Sequence, residues 1–138
     1  MIPGVLTANE AQILSGHNGR VGFELPLVAR VTSIITNLAR AVITPESYAR
    51  VECKSDGHDW HVDTGDSKHL PWCRWSASVL LTPPDTFSGG VFWFRNPDQF
   101  VDNYLSALIY SSDQEHRVTP HEGERKVLLI FLGAKDGI

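Results

Sequence analysis

The sequence predicts a mainly β fold of the α+β class, with an N-terminal helical section packed on one sheet of a sandwich or open two-sheet barrel. Three observations carry that prediction. Helical spacing of apolar residues is confined to the first third of the chain. From Tyr48 onward the pattern changes to short runs rich in Val, Ile, Phe, Trp and Thr, separated by clusters of Gly, Pro, Asp and Ser. The last of these runs, KVLLIFL, is apolar at nearly every position, as a strand covered on both faces should be.

The elements follow in order. Thr7-Ala8-Asn9-Glu10 fits a capping box, in which a hydroxyl and a carboxylate satisfy the orphan donors of a helix start. That helix should run to about Ser15 and end at Gly16. A second helix is read from Leu27, Val31, Ile34, Ile35, Leu38 and Val42, which form one apolar stripe with Arg30, Asn37 and Arg40 off it. Pro26 suits its first turn and Pro45 bars continuation. Strands are expected at Tyr48–Lys54, Arg74–Thr82, Gly90–Arg95, Leu105–Ser111, Glu115–Thr119 and Arg125–Leu132. The 138 residues make one domain, helical over about 1–45 and β over about 46–133.

Composition narrows the function classes. With 42% hydrophobic and 20% charged residues the chain is an ordinary globular one, and a net charge of -4 without a basic patch implies no nucleic-acid partner. The most apolar segment, Leu25 to Ile43, is interrupted by Arg30, Asn37 and Arg40, which argues against a membrane span. The N-terminus MIPGVLTANEAQ lacks the basic start and apolar stretch of a signal peptide. Cys53 and Cys73 have no CxxC spacing and read as free thiols in a reducing, cytoplasmic setting.

The chemistry is concentrated in His61-Val62-Asp63, His116 and Arg125. Residues two apart on an extended segment point to one face, so His61 and Asp63 can reach the same ion, and His116 must arrive from a different strand. Two imidazoles and one carboxylate suit Fe(II) and leave metal positions open. Arg125 fits a carboxylate partner, because its planar fork makes two parallel charge-assisted bonds. A keto diacid such as 2-oxoglutarate can chelate the metal at one end and meet Arg125 at the other. If Pro120-His121-Glu122-Gly123 is a hairpin turn, Val118 faces Arg125 and His116 faces Val127, which puts Arg125 diagonal to His116 on one sheet.

Three stretches, HVD at 61–63, RWSASVLLTPPDTFSGG at 74–90 and LIYSSDQEHRVTPHEGER at 108–125, resemble the Fe(II)- and 2-oxoglutarate-dependent dioxygenases of the prolyl-4-hydroxylase-like branch. They span the C-terminal two-thirds of the chain. The resemblance implies a double-stranded β-helix, or jelly roll, with flanking helices. It implies metal ligands at His61, Asp63 and His116, Arg125 as anchor for the distal carboxylate of 2-oxoglutarate, and O2 as co-substrate. It implies hydroxylation of a peptidyl, prolyl-type substrate or a small molecule, with release of succinate and CO2. Related halogenases lack the carboxylate that Asp63 supplies. The chain departs from its relatives in having no tyrosine in Val51–Lys54 or Val79–Leu81, so Ser76, Ser78 and Tyr110 are the candidate helpers of Arg125.

Trp60, beside the metal motif, Trp75, and Arg74 near the expected mouth are candidates for a substrate pocket. His17, His58, His69 and His121 read as surface residues, and Asp56, Asp59 and Asp66 as a solvated loop. Two alternatives stay open on the residues alone: a cupin-like metal enzyme with another co-substrate, and a non-catalytic metal-binding module. Nothing in the sequence fixes the oligomeric state.

Overall fold

The computed structural model describes residues 1–64 and 72–134. His69 and Asp66 lie outside them. Helix α1 is Ala8–Leu14, and its start is the expected capping box. Thr7 Oγ1 accepts from the Glu10 amide at 3.2 Å, and Glu10 Oε1 accepts from the Thr7 amide at 2.9 Å. Arg30 donates to both oxygens of the same carboxylate, each at 2.7 Å, and holds its pKa down to about 2. The second helix, α2, is Pro26–Leu38, with Val28, Val31, Thr32 and Ile35 buried. It stops short of the expected Val42. Ala41–Val42 instead forms a short strand, β2, paired with Gly133 and Ala134, and this edge pairing takes over the backbone donors a longer helix would have used.

The larger sheet has six strands. In spatial order they are β1 (Gly19–Val21), β3 (Tyr48–Glu52), β12 (Val127–Ala134), β5 (Trp75–Leu80) and β9 (Ala107–Ser111), with β2 attached to β12. A four-stranded sheet faces it, ordered β4 (His58–His61), β10 (His116–Val118), β7 (Phe92–Phe94) and β8 (Gln99–Val101). Two short strands, β6 (Phe87–Gly89) and β11 (His121–Gly123), close one end. All strand pairs in these sheets are antiparallel. The fold is a double-stranded β-helix with its helices on the larger sheet.

Strand alternation divides the larger sheet into two faces. Ala49, Val51, Ala77, Val79, Leu128, Ile130 and Leu132 pack against Ala11, Leu14, Val28, Val31 and Ile35 of the helices. Their neighbours Tyr48, Arg50, Glu52, Ser78, Val127, Leu129 and Phe131 look the other way, into a cavity between the sheets. Near-continuous burial of β12 follows from covering on both faces, as its composition predicts.

The hairpin expected around Pro120 does not form. His116–Val118 pairs with β4 and β7, while Val127–Ala134 pairs with β3 and β5, so the two strands belong to opposite sheets. Between them His121–Gly123 is itself a strand, paired with Phe87–Gly89. The backbone polar groups there bond to remote segments: Thr119 N to Val91 O at 3.0 Å, Gly90 N to Pro120 O at 3.0 Å, and His121 N to Ser55 O at 2.9 Å. Arg125 therefore meets His116 across the cavity between sheets and not diagonally along one sheet.

Candidate metal centre and its cavity

The long separation of the two histidines is closed by strand pairing. His61 ends β4 and stands directly opposite His116 of β10, so their side chains share the cavity face, with ring centroids 4.2 Å apart. Asp63 lies just beyond β4, its amide bonded to Ser112 O at 2.8 Å. One ligand atom from each of His61, Asp63 and His116 lies within 4.8 Å of the others. Asp63 Oδ1 is 3.5 Å from His61 Nε2 and 3.4 Å from His116 Nε2. His116 and Asp63 are buried; His61 is the open side, its side chain 34% exposed.

Both rings are oriented from behind. His61 Nδ1 donates to Asp59 O at 2.6 Å and His116 Nδ1 donates to Gln114 O at 2.9 Å. A carbonyl can only accept, so in the neutral rings Nδ1 carries the proton and each Nε2 turns a lone pair inward. Asp63 is fixed similarly: Ser76 Oγ donates to Oδ2 at 2.6 Å and leaves Oδ1 facing the histidines. Ser112 Oγ, 3.2 Å from Ser76 and 3.1 Å from the Cys73 thiol, extends this buried chain. Phe92 stacks on the His116 ring at 5.4 Å and locks it against rotation.

Three lone pairs thus converge on one point. Besides Ser76, the Tyr110 hydroxyl lies beside them, 3.5 Å from His116 Nε2. Burial drives the Tyr110 phenol well above its usual pKa, so it stays a neutral donor. Burial also pushes the Asp63 carboxyl up. When the imidazoles carry a proton toward it, the pull of His116, His61 and Ser76 prevails and holds it well below the carboxylate range; with both Nε2 atoms bare, Ser76 alone donates to it. An ionised carboxylate and two inward imidazole nitrogens repel one another unless a cation sits between them. The donor set fits a divalent first-row ion, Fe(II) included.

Arg125 occupies the same cavity, which is about 320 Å³. Arg125 is 7% exposed, its Nε has no hydrogen-bond partner among the described residues, and its Cζ sits 6.0 Å from the Phe87 ring centroid. Burial lowers its pKa, against the nearby carboxylate of Glu52. An arginine does not deprotonate in response, so the cation stays, with its Nε unbonded among the described residues. Gly90 makes the space for it. With φ at +63°, Gly90 holds a left-handed backbone, and an added Cβ would collide with Arg125 Cδ and lie 2.9 Å from Nε. Gly90→Ala should lower stability by about 2 kcal/mol through left-handed strain and displacement of Arg125, read by urea unfolding.

Of the candidate helpers, Ser78 and Tyr110 line the cavity, and Ser76 is engaged with Asp63. Trp60, Arg74 and Trp75 are not among the lining residues. Trp60 alternates away from His61, and its ring meets the guanidinium groups of Arg95 at 4.9 Å and Arg117 at 5.0 Å. Trp75 packs on the main core, and Arg74 Nη1 donates to Cys73 O at 3.1 Å. Two histidines expected at the surface are not there. His58 is half-buried in the cavity wall, 2.9 Å from Glu52 Oε2, because its strand pairs at Val118. His121 is buried beside Phe87, with neither ring nitrogen bonded among the described residues.

The sequence reading missed Tyr48, Arg50 and Glu52 as cavity residues. Their signal is the alternation Tyr-Ala-Arg-Val-Glu: Ala49 and Val51 mark the core face, which leaves the three larger residues on the other.

No family model matches the chain, and no curated protein matches it in sequence. Solved structures match its fold. A prolyl hydroxylase from Trichoplax adhaerens, in complex with a hypoxia inducible factor oxygen degradation domain peptide fragment, superposes with a TM-score of 0.71 at 15% identity, covering 99% of this chain and 83% of that one. The viral collagen prolyl hydroxylase of Paramecium Bursaria Chlorella virus-1, in its 2OG complex, gives 0.69 at 11% identity over 96% of this chain and 93% of its own. An oxidoreductase of the 2OG-Fe(II) oxygenase family from Burkholderia pseudomallei gives 0.62 at 15% identity, covering 95% and 81%. At such identities the likeness is one of fold. The chain has the fold of the prolyl hydroxylases and 2OG-Fe(II) oxygenases, and within it His61, Asp63 and His116 form a His-Asp-His triad.

Proposed function

We propose that the protein is a Fe(II)- and 2-oxoglutarate-dependent oxygenase that hydroxylates a peptidyl, prolyl-type or small-molecule substrate and releases succinate and CO2. The observation that carries this reading is one cavity holding both a convergent His-Asp-His triad and a buried arginine whose Nε has no partner among the described residues. His61, Asp63 and His116 would hold the metal, which couples oxidation of the co-substrate by O2 to oxidation of the substrate. Arg125 would take the distal carboxylate of 2-oxoglutarate, giving its guanidinium the partner the fold withholds. Tyr110 would donate its phenolic hydrogen beside His116, while Ser78 and Leu129 floor the space between the metal and Arg125.

A peptide substrate has its precedent in the Trichoplax enzyme, whose structure carries a peptide fragment. An exposed Cys53 and a buried Cys73, neither of them in a disulfide, suit a reducing, cytoplasmic setting. The test is anaerobic titration of the Fe(II)-loaded protein with 2-oxoglutarate. A visible charge-transfer absorption band should grow to saturation at one equivalent. Metal-loaded protein that shows no such band, and no 2-oxoglutarate binding by calorimetry, would rule the reading out.

A further inference from the structure

Arg50 stands in the cavity wall with one long ion pair among the described residues. Its side chain is 33% exposed, Glu52 Oε1 is 3.8 Å from Nη2, beyond hydrogen-bond distance, and its Nε is buried with no hydrogen-bond partner among the described residues. Glu52 is committed elsewhere, since His58 Nε2 lies 2.9 Å from its other oxygen. Burial raises the Glu52 pKa, and the His58 bond outweighs that and lowers it. The other neighbours make the position worse for a cation. Arg20 is directly opposite Arg50 on β1, and its guanidinium sits over the Tyr48 ring at 4.2 Å. Like charges directly opposed on two strands destabilise a sheet. On the other side Arg50 meets Leu129, which offers nothing polar.

Register places Arg50 relative to the triad and Arg125. Three rows cross the larger sheet on the cavity face: Glu52, Val127 and Leu80; Arg50, Leu129 and Ser78; Tyr48, Phe131 and Ser76. Ser76, in the last row, holds Asp63. Arg125 lies beyond the first row. Arg50 is therefore in the middle row, roughly 7 Å along the strands from the row that supports the metal site, and one strand to the side of β12. A ligand joining the triad to Arg125 passes beside it.

We infer that Arg50 is a second carboxylate-binding residue of this cavity, independent of Arg125. The inference rests on the proposed function for the source of the carboxylate: the metal-proximal part of 2-oxoglutarate, or an acidic group of the primary substrate bound alongside it. Either anion would supply the two parallel bonds that the guanidinium lacks and would screen it from Arg20.

The experiment uses the full chain loaded with Mn(II), which is stable in air, and compares wild type with Arg50→Gln and Arg50→Lys by isothermal titration. The first titrant is 2-oxoglutarate. The second is glutarate, which has no keto group to chelate with, added to protein already saturated with Mn(II) and 2-oxoglutarate. If the co-substrate uses Arg50, Arg50→Gln weakens 2-oxoglutarate about ten-fold or more and Arg50→Lys recovers part of the loss. If a primary substrate uses it, 2-oxoglutarate affinity holds and the glutarate binding seen in wild type disappears in Arg50→Gln. Unchanged binding of both ligands in a variant with a wild-type melting profile overturns the inference. A variant that fails to melt cooperatively passes the test to Arg50→Lys, where unchanged affinities also count against it. Should wild type bind glutarate but never 2-oxoglutarate, and Arg50→Gln lose the glutarate, the proposed function falls and the role of Arg50 stands. Should wild type bind neither ligand, both fall.

Discussion

Asp63→Ala should leave the protein unable to retain Fe(II) or Mn(II), and should cut 2-oxoglutarate-dependent succinate release by more than about a hundredfold. Removing even an outer partner of a metal ligand weakens metal binding or activity about 10- to 100-fold, and Asp63 is the charged member of the set itself. Its Oδ1 faces both imidazoles, at 3.5 and 3.4 Å, so deleting it removes the group that neutralises part of the ion's charge. The fold should survive. Ser76 Oγ loses its acceptor at Oδ2 but keeps Ser112 Oγ at 3.2 Å, and Phe92 and Gln114 still hold the His116 ring. Mn(II) titration followed by electron paramagnetic resonance reads the binding, and circular dichroism reads the fold. Wild-type metal affinity in a folded Asp63→Ala protein would falsify the assignment of the triad.

The triad was legible because each of its clues is local or additive. His61 and Asp63 share a face by strand alternation, and a remote histidine followed nine positions later by an arginine completes a four-residue pattern. The capping box at Thr7 and the apolar stripe of α2 were legible for the same reason: their signals lie within one helical turn or two. What failed was long-range pairing. Pro120-His121-Glu122-Gly123 has the composition of a turn, yet it pairs with Phe87–Gly89, a partner more than thirty residues away that no local signal names. The end of α2 was misplaced by the same cause, since β12 recruits Ala41 and Val42 into a sheet edge. His58 and His121 looked like surface residues because burial of a polar ring depends on what the remote strands bring over it. Arg125 reached the cavity by a route the hairpin argument did not foresee. Direction survived because Arg125 leads into β12 on the same face as Val127 and Leu129, whichever sheet carries His116.

Arg125→Met should move stability and ligand binding in opposite directions. Arg125 is 7% exposed, its Nε is unbonded among the described residues, and Glu52, the carboxylate whose charge it feels, is already held by His58 at 2.9 Å. An uncompensated buried charge is a net cost, and a flexible apolar chain of similar length can fill its channel past Gly90. The variant should therefore be more stable by about 1 kcal/mol or more, seen as a rise of about 3 °C in Tm without added ligand. The loss of cation–π contact with Phe87, at the 6.0 Å limit of such contacts, subtracts little from this. Affinity for 2-oxoglutarate in the Mn(II)-loaded protein should fall by about a hundredfold, the value of a bidentate charge-assisted contact. A less stable variant would mean that Arg125 already has a structural partner and is not waiting for a ligand. A more stable variant with undiminished 2-oxoglutarate affinity would move the anchoring role to Arg50, another cation of the cavity, whose Nε has no partner among the described residues.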